Sequence, residues 1–176
     1  MKTNLFSNLK RFGIFGASES GKSTLARKIS LLMWRVEHRP TIALDPISKA
    51  NWGKHAKVFT NEEKFWEYIF KVRNCFVVVD DASVTINRDA ELNGVFTTLR
   101  HQNHKLLVIG HSAGNLLPQM RDQVQRVFLF LQNEDSIKKW ETNFPGQDLT
   151  PATQLRQYEF YSVANYAAPQ KFMLTK

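Results

Sequence analysis

The chain has 176 residues, 43% of them hydrophobic and 12% aromatic, which fits one domain with a continuous core and excludes two of standard size. A formal charge of +8 and a pI near 9.7 raise the expectation of a polyanionic partner, DNA or RNA before an anionic membrane. No stretch approaches the roughly 18 consecutive apolar residues of a membrane span, the start has no apolar run long enough for a secretion signal, and the lone Cys75 cannot form an internal disulfide; a soluble protein in a reducing, cytoplasmic setting is expected.

Phe12-Gly13-Ile14-Phe15 predicts a short buried strand, and it runs into Gly16-Ala17-Ser18-Glu19-Ser20-Gly21-Lys22-Ser23. This run fits the pattern GxxxxGK[ST] of a phosphate-binding loop. Its glycines let backbone amides curl around an anion, and the helix that follows points its positive end at the same place. Lys22 is expected to reach the β and γ phosphates and Ser23 to hold magnesium, with Thr24 next in the helix. From Ser23 to Val36, Leu25, Ile29, Leu32 and Val36 recur at helical spacing between Arg27, Lys28 and Arg35. The chain is therefore expected to bind a nucleoside triphosphate.

Further along, Thr41–Leu44 predicts a second strand that ends at Asp45-Pro46, where proline stops sheet pairing. A polar loop from Ile47 to Lys54 follows, then a short strand at Ala56–Phe59. Asn61-Glu62-Glu63 has the acidic first turn of a helix, and Phe65, Trp66, Ile69 and Phe70 give it an apolar face. Cys75–Val79 is a continuous apolar, largely β-branched run, as in a strand covered on both sides, and it ends in Asp80-Asp81. Ala90 to His101 predicts a crossover helix, Lys105–Ile109 a buried strand ending at Gly110-His111-Ser112, and Arg126–Leu131 a further strand after a turn and helix around Pro118 to Gln123. Beyond Pro145-Gly146, Gln157–Ser162 and Lys171–Leu174 can pair as a hairpin at the sheet edge. Alternating strands and amphipathic stretches mark an α/β fold, a mainly parallel sheet flanked by helices.

In such sheets ligands bind beyond the carboxyl ends of the strands, where the phosphate loop, Asp45, Asp80-Asp81 and His111-Ser112 all fall. Asp80 directly follows an apolar run and matches the second nucleotide-binding motif, whose carboxylate orients magnesium; Asp81 is the candidate for polarising the attacking water. His111 and Ser112 are expected to face the γ-phosphate and sense its loss. His38, His55, His101 and His104 make no metal-ligand pattern with cysteine or carboxylates, so zinc is not expected. Charge on the γ-phosphate oxygens calls for an arginine, often from a neighbouring subunit; among Arg88, Arg100, Arg121 and Arg126, the candidates ranked first are Arg100 and Arg126. Lys49, Lys54, Lys57 and Arg88 are candidates for lining a DNA channel, although a solvated surface accounts for each singly.

Taken in order, these residues resemble the HerA/FtsK superfamily of DNA-pumping ATPases, most closely the genome-packaging ATPases of membrane-containing phages and poxvirus-like viruses. The resemblance spans about residues 11–136. It rests on the phosphate loop, on Leu44-Asp45-Pro46, and on the run from Leu99 through Arg100-His101-Gln102-Asn103 to Ile109. It continues through Pro118, Met120-Arg121 and Arg126–Phe130. Where members usually carry Asp-Glu and a later Gln, this chain has Asp80-Asp81 and His111-Ser112. The resemblance implies a single P-loop ATPase domain over 1–176 with a three-layer RecA/FtsK-like sheet and an extension from about residue 145. It also implies ATP and Mg²⁺ as cofactors and a homo-oligomeric ring, a hexamer or pentamer, with ATP at each interface and an arginine of the Arg100 to Arg126 region acting across it. Double-stranded DNA would move through the ring into a capsid, at a packaging vertex in the host cytoplasm, with capsid-vertex or viral membrane proteins as partners. The alternatives are a small-molecule or nucleotide kinase, for which residues 47–54 offer no clear acceptor site, and an ATP-dependent phage assembly or export factor.

Overall fold

The computed structural model describes residues 9–47, 51–80, 99 and 101–175. One eight-stranded sheet organises them, in the order β3-β2-β4-β5-β1-β6-β7-β8. Strands β1 (Arg11–Phe15), β2 (Thr41–Leu44), β3 (Ala56–Phe59), β4 (Phe76–Val79), β5 (Lys105–Gly110) and β6 (Arg126–Leu129) run parallel. The expected C-terminal hairpin forms from β7 (Glu159–Ala164) and β8 (Ala167–Met173), with β7 antiparallel to β6. Pro169 sits on β8, an edge strand, where a missing N–H costs no ladder bond.

Both faces of the sheet are covered, which is why its central strands read as unbroken apolar runs. Side chains alternate between the faces. Phe12, Ile14, Phe76, Val78, Leu107, Ile109, Phe128 and Phe130 join the core beneath α1 (Lys22–Glu37). Val77, Val79, Leu106, Val108, Val127 and Leu129 join the opposite core with α2 (Glu62–Lys71) and the helix that carries Trp140. The result is helix, sheet, helix.

Helix α1 buries Leu25, Ala26, Ile29, Ser30 and Met33, whereas Leu32 and Val36, expected on that face, are 37% and 49% exposed. The phosphate loop fixes the helix's rotation, and small Ala26 and Ser30 let it approach the sheet. Ser30 Oγ and Thr41 Oγ1 share a buried hydrogen bond of 2.7 Å. The start of α2 is as expected: Asn61 Oδ1 accepts from Lys64 N at 2.9 Å, and Glu62 and Glu63 occupy the positive end. Phe65 and Ile69 are buried, but Phe70 faces outward. A short helix, α3 (Pro118–Arg121), precedes β6. Helix α4 (Glu134–Asn143) was not expected; Asn133 caps it at Ser136 N, and Trp140 inserts against Phe15 with ring centroids 4.9 Å apart. Of the crossover helix expected over Ala90–His101, Leu99 and His101 are helical and the rest lies outside the described residues. Among the described residues, no helix is long and apolar enough to cross a membrane.

Candidate nucleotide site

Strand β1 is central, with β5 on one side and β6 on the other, so its carboxyl end opens at a crevice of the sheet. The loop leaving it is tied to both neighbours: Gly16 N donates to Gly110 O and Ala17 N to Leu131 O, each at 3.2 Å. At Gly16 a Cβ would overlap Phe130 Cβ, so only glycine lets the loop start here. Glu19 (φ 58°) and Gly21 (φ 109°) turn the backbone through the left-handed region and into α1. Gly21 is the helix's N-cap and no side chain caps it, an arrangement of first-turn amides that suits an anion.

Lys22 Nζ lies across the loop, donating to Gly16 O at 2.9 Å and Ala17 O at 2.7 Å. Ser23 Oγ donates to Asp80 Oδ2 at 3.4 Å, so the hydroxyl of the first motif and the carboxylate at the end of β4 meet. Arg27 steadies this turn, with Nε donating to Ser23 O at 3.1 Å. A cavity of about 380 Å³ brings together Ser18, Glu19, Lys22, Ser23, Asp45, Asp80 and His111. Strand-end residues scattered over the chain thus line one cleft, of a size that suits a small ligand. Hydroxyl and carboxylate are hard oxygen donors, the set that magnesium takes alongside phosphate oxygens and water; Ser23 and Asp80 fit that ion. A second cavity of about 400 Å³ adjoins the first at Glu19, Lys22 and Ser23 and extends past Thr24 to Gln157 and Tyr158.

Asp45 is buried and its Oδ2 accepts from Trp52 Nε1 at 3.1 Å. Trp52, inside the stretch expected as a polar loop, is itself buried and packs in the α1-side core. At the end of β5, Asn115 Oδ1 accepts from His111 N at 2.8 Å and Ser112 N at 2.7 Å, holding the turn. Buried Gln132, beyond β6, reaches the same turn: its Nε2 donates to His111 O at 3.3 Å and its Oε1 accepts from Ser136 Oγ.

The arginines divide. Arg121 is engaged within its own chain, with Nη1 donating to Ala113 O at 3.0 Å and Leu116 O at 2.7 Å, and Nε to Asn143 Oδ1 at 3.2 Å. Arg126 opens β6 opposite Phe12, at the end of the parallel strands away from the phosphate loop, and its Nη1 donates to Ser162 Oγ at 2.6 Å. Burial lowers its pKa from the ordinary arginine value. In its own chain Arg126 is not brought to the cleft. Lys57 Nζ sits 3.8 Å from the Tyr68 ring centroid, a cation–π contact. Asp81, Arg88, Arg100 and Lys49 lie outside the described residues. Gln157, Tyr158, Trp52 and Arg27 had no sequence motif to mark them.

No family model matches the chain, and no curated protein does. Solved structures do. The genome packaging NTPase B204 from Sulfolobus turreted icosahedral virus 2, in complex with AMPPCP, superposes with a TM-score of 0.76 at 16% identity, over 93% of this chain and 96% of that one. VirB4 of Thermoanaerobacter pseudethanolicus matches at TM-score 0.74 and 10% identity, over 96% and 90%. EccC of Thermomonospora curvata (ATPases 2 and 3) matches at TM-score 0.68 and 17% identity, over 93% of this chain and 36% of that one. At such identities the likeness concerns architecture. In architecture, then, the chain shares the RecA/FtsK-like fold of these structures, a mostly parallel sheet flanked by helices with the Gly16–Ser23 loop at the end of its central strand.

Proposed function

We propose that this protein is an ATP-hydrolysing motor that translocates double-stranded viral DNA into a preformed capsid. The observation that carries the reading is the end-to-end match to a viral genome packaging NTPase, 93% of this chain against 96% of the other. A kinase built on the same loop would be expected to show an acceptor-binding motif shortly after the second strand, and residues 47–54 offer no clear one.

In this reading the first-turn amides of α1 and Lys22 hold the β and γ phosphates, and Ser18 to Thr24 wrap the chain around them. Ser23 and Asp80 hold Mg²⁺, which when bound neutralises phosphate charge and orients the transferred group. Asp81, next in the chain, accepts the proton of the attacking water. His111 meets the γ-phosphate side of the cleft, and Gln132 links its turn to α4 through Ser136. The charge of +8 suits phosphate-backbone contact. A homo-oligomeric ring, hexameric or pentameric, places an arginine of one subunit at the nucleotide of the next: Arg100, or Arg126 released from Ser162. Such a ring docks on capsid-vertex or viral membrane proteins at the packaging vertex.

The test is ATPase activity of the purified chain with and without duplex DNA, beside Lys22→Ala. Stimulation by DNA, abolished in the variant, is expected. An ATPase rate indifferent to DNA, together with packaging that survives Lys22→Ala, would overturn the proposal.

A further inference from the structure

The C-terminal hairpin is docked on the phosphate loop, although some 135 residues separate them in sequence. Gln157 Nε2 donates to Glu19 O at 3.1 Å, Tyr158 N donates to Ser20 O at 3.2 Å, and Leu174 N closes the hairpin onto Tyr158 O at 2.9 Å. Lys28 Nζ, on α1, donates to Thr175 O at 2.8 Å. Gly21 admits this contact, since a Cβ there would lie 2.9 Å from both Tyr158 Cδ1 and Leu174 Cδ1. Tyr158 holds φ at 69°, a conformation that a bulky side chain adopts only when its surroundings impose it.

The second cavity lies at this junction. Its volume is about 400 Å³, and Lys22 and Ser23 form its border with the phosphate cleft, while Thr24, Gln157 and Tyr158 bound its far part. A triphosphate seated on α1's first turn, with its γ end in the cleft lined by Asp45, Asp80 and His111, has its nucleoside end leaving on the other side, past Thr24. What that end meets is one aromatic ring and one carboxamide.

We infer that Tyr158, presented by the start of the C-terminal hairpin, is the stacking platform for the nucleobase of the bound nucleoside triphosphate, with Gln157 as the polar group beside it. The left-handed backbone at Tyr158 and the bonds to Glu19 and Ser20 set the ring against the loop, so base and phosphates are read by two chain segments held together before the ligand arrives. Stacking on an aromatic face is tolerant of base identity and contributes about 5- to 100-fold in affinity. The inference rests on the nucleotide-binding reading of the phosphate loop.

The experiment compares a ligand with a base and one without. Binding of MgATP and of magnesium tripolyphosphate is measured by calorimetry on the full chain, on Tyr158→Ala and on Lys22→Ala. Wild type is expected to favour ATP, and Tyr158→Ala to weaken ATP about 5- to 100-fold while tripolyphosphate affinity stays the same. Lys22→Ala is expected to weaken both. If Tyr158→Ala keeps the wild-type ratio of the two affinities, the stacking role is overturned while the nucleotide reading stands. If wild type binds neither ligand, the nucleotide reading falls and this inference with it. Should Tyr158→Ala not fold, Tyr158→Trp decides: its fluorescence, taken against wild type, is expected to change with ATP and not with tripolyphosphate, and an equal response to both overturns the role.

Discussion

Gly21→Ala tests the junction between the phosphate loop and the hairpin. The wild-type backbone sits at φ 109°, where a side chain costs about 1–2 kcal/mol. The added methyl also arrives 2.9 Å from Tyr158 Cδ1 and from Leu174 Cδ1. Leu174 can swing its methyl aside. The Tyr158 main chain cannot retreat as easily, since it is bonded to Ser20 and Leu174, so relief there needs the ring itself to turn. Overpacking of this kind costs about 1–3 kcal/mol, and with the Leu174 contact relieved about 1–2 kcal/mol of it remains, so the total expected is about 2–4 kcal/mol. With a urea m-value of about 2 kcal/mol/M, the unfolding midpoint falls by about 1–2 M. The two contributions separate in a cycle with Tyr158→Ala: in that background Gly21→Ala should cost about 1–2 kcal/mol less, because only the backbone contribution remains. Urea unfolding of the four proteins, followed by fluorescence and far-UV dichroism, measures this. A cost under about 0.5 kcal/mol in wild type, or an equal cost in both backgrounds, would refute the reasoning.

Arg121→Ala removes the donor shared by Ala113 O and Leu116 O and should lower stability by about 2–3 kcal/mol, while the folded variant keeps kcat within about twofold. A hundredfold loss of kcat at unchanged stability would instead make Arg121 a trans-acting catalytic arginine. Stability should also fall in acid. Burial lowers the pKa of His104, whose Nδ1 accepts from Cys75 N at 3.1 Å, and burial followed by the Arg35 charge lowers that of His55. A histidine with a depressed folded pKa stabilises fully above its unfolded value of about 6.5, and that contribution is lost as pH falls through the folded pKa. Urea unfolding at pH 7.5 and 5.5 should show the decline, and a smaller one in His104→Gln; equal wild-type stability at both pH values would contradict it.

What the sequence alone determined is what local chemistry encodes. Strands covered on both faces show as runs such as Phe76–Val79 and Leu106–Ile109, since burial on two sides leaves no polar alternation. The loop at Gly16–Ser23 is legible because its chemistry needs glycine, lysine and a hydroxyl at set spacing, and α2 is legible from Asn61 and the acids behind it. Helix α4 is not legible because only Ser136, Ile137 and Trp140 of it are buried, too few for a periodic face. The opening position of Arg126 in a strand parallel to β1 already places it at the end away from the loop, once the strand's direction is known. Tertiary structure decided the rest, because contacts between distant segments leave no local periodicity. Packing turned α1 so that Ala26 and Met33 replace Leu32 and Val36 at the sheet. It drew Trp52 onto Asp45 and brought Ser23 to Asp80. It also laid Gln157 and Tyr158 on the phosphate loop, where Gly21 has no side chain to keep them off.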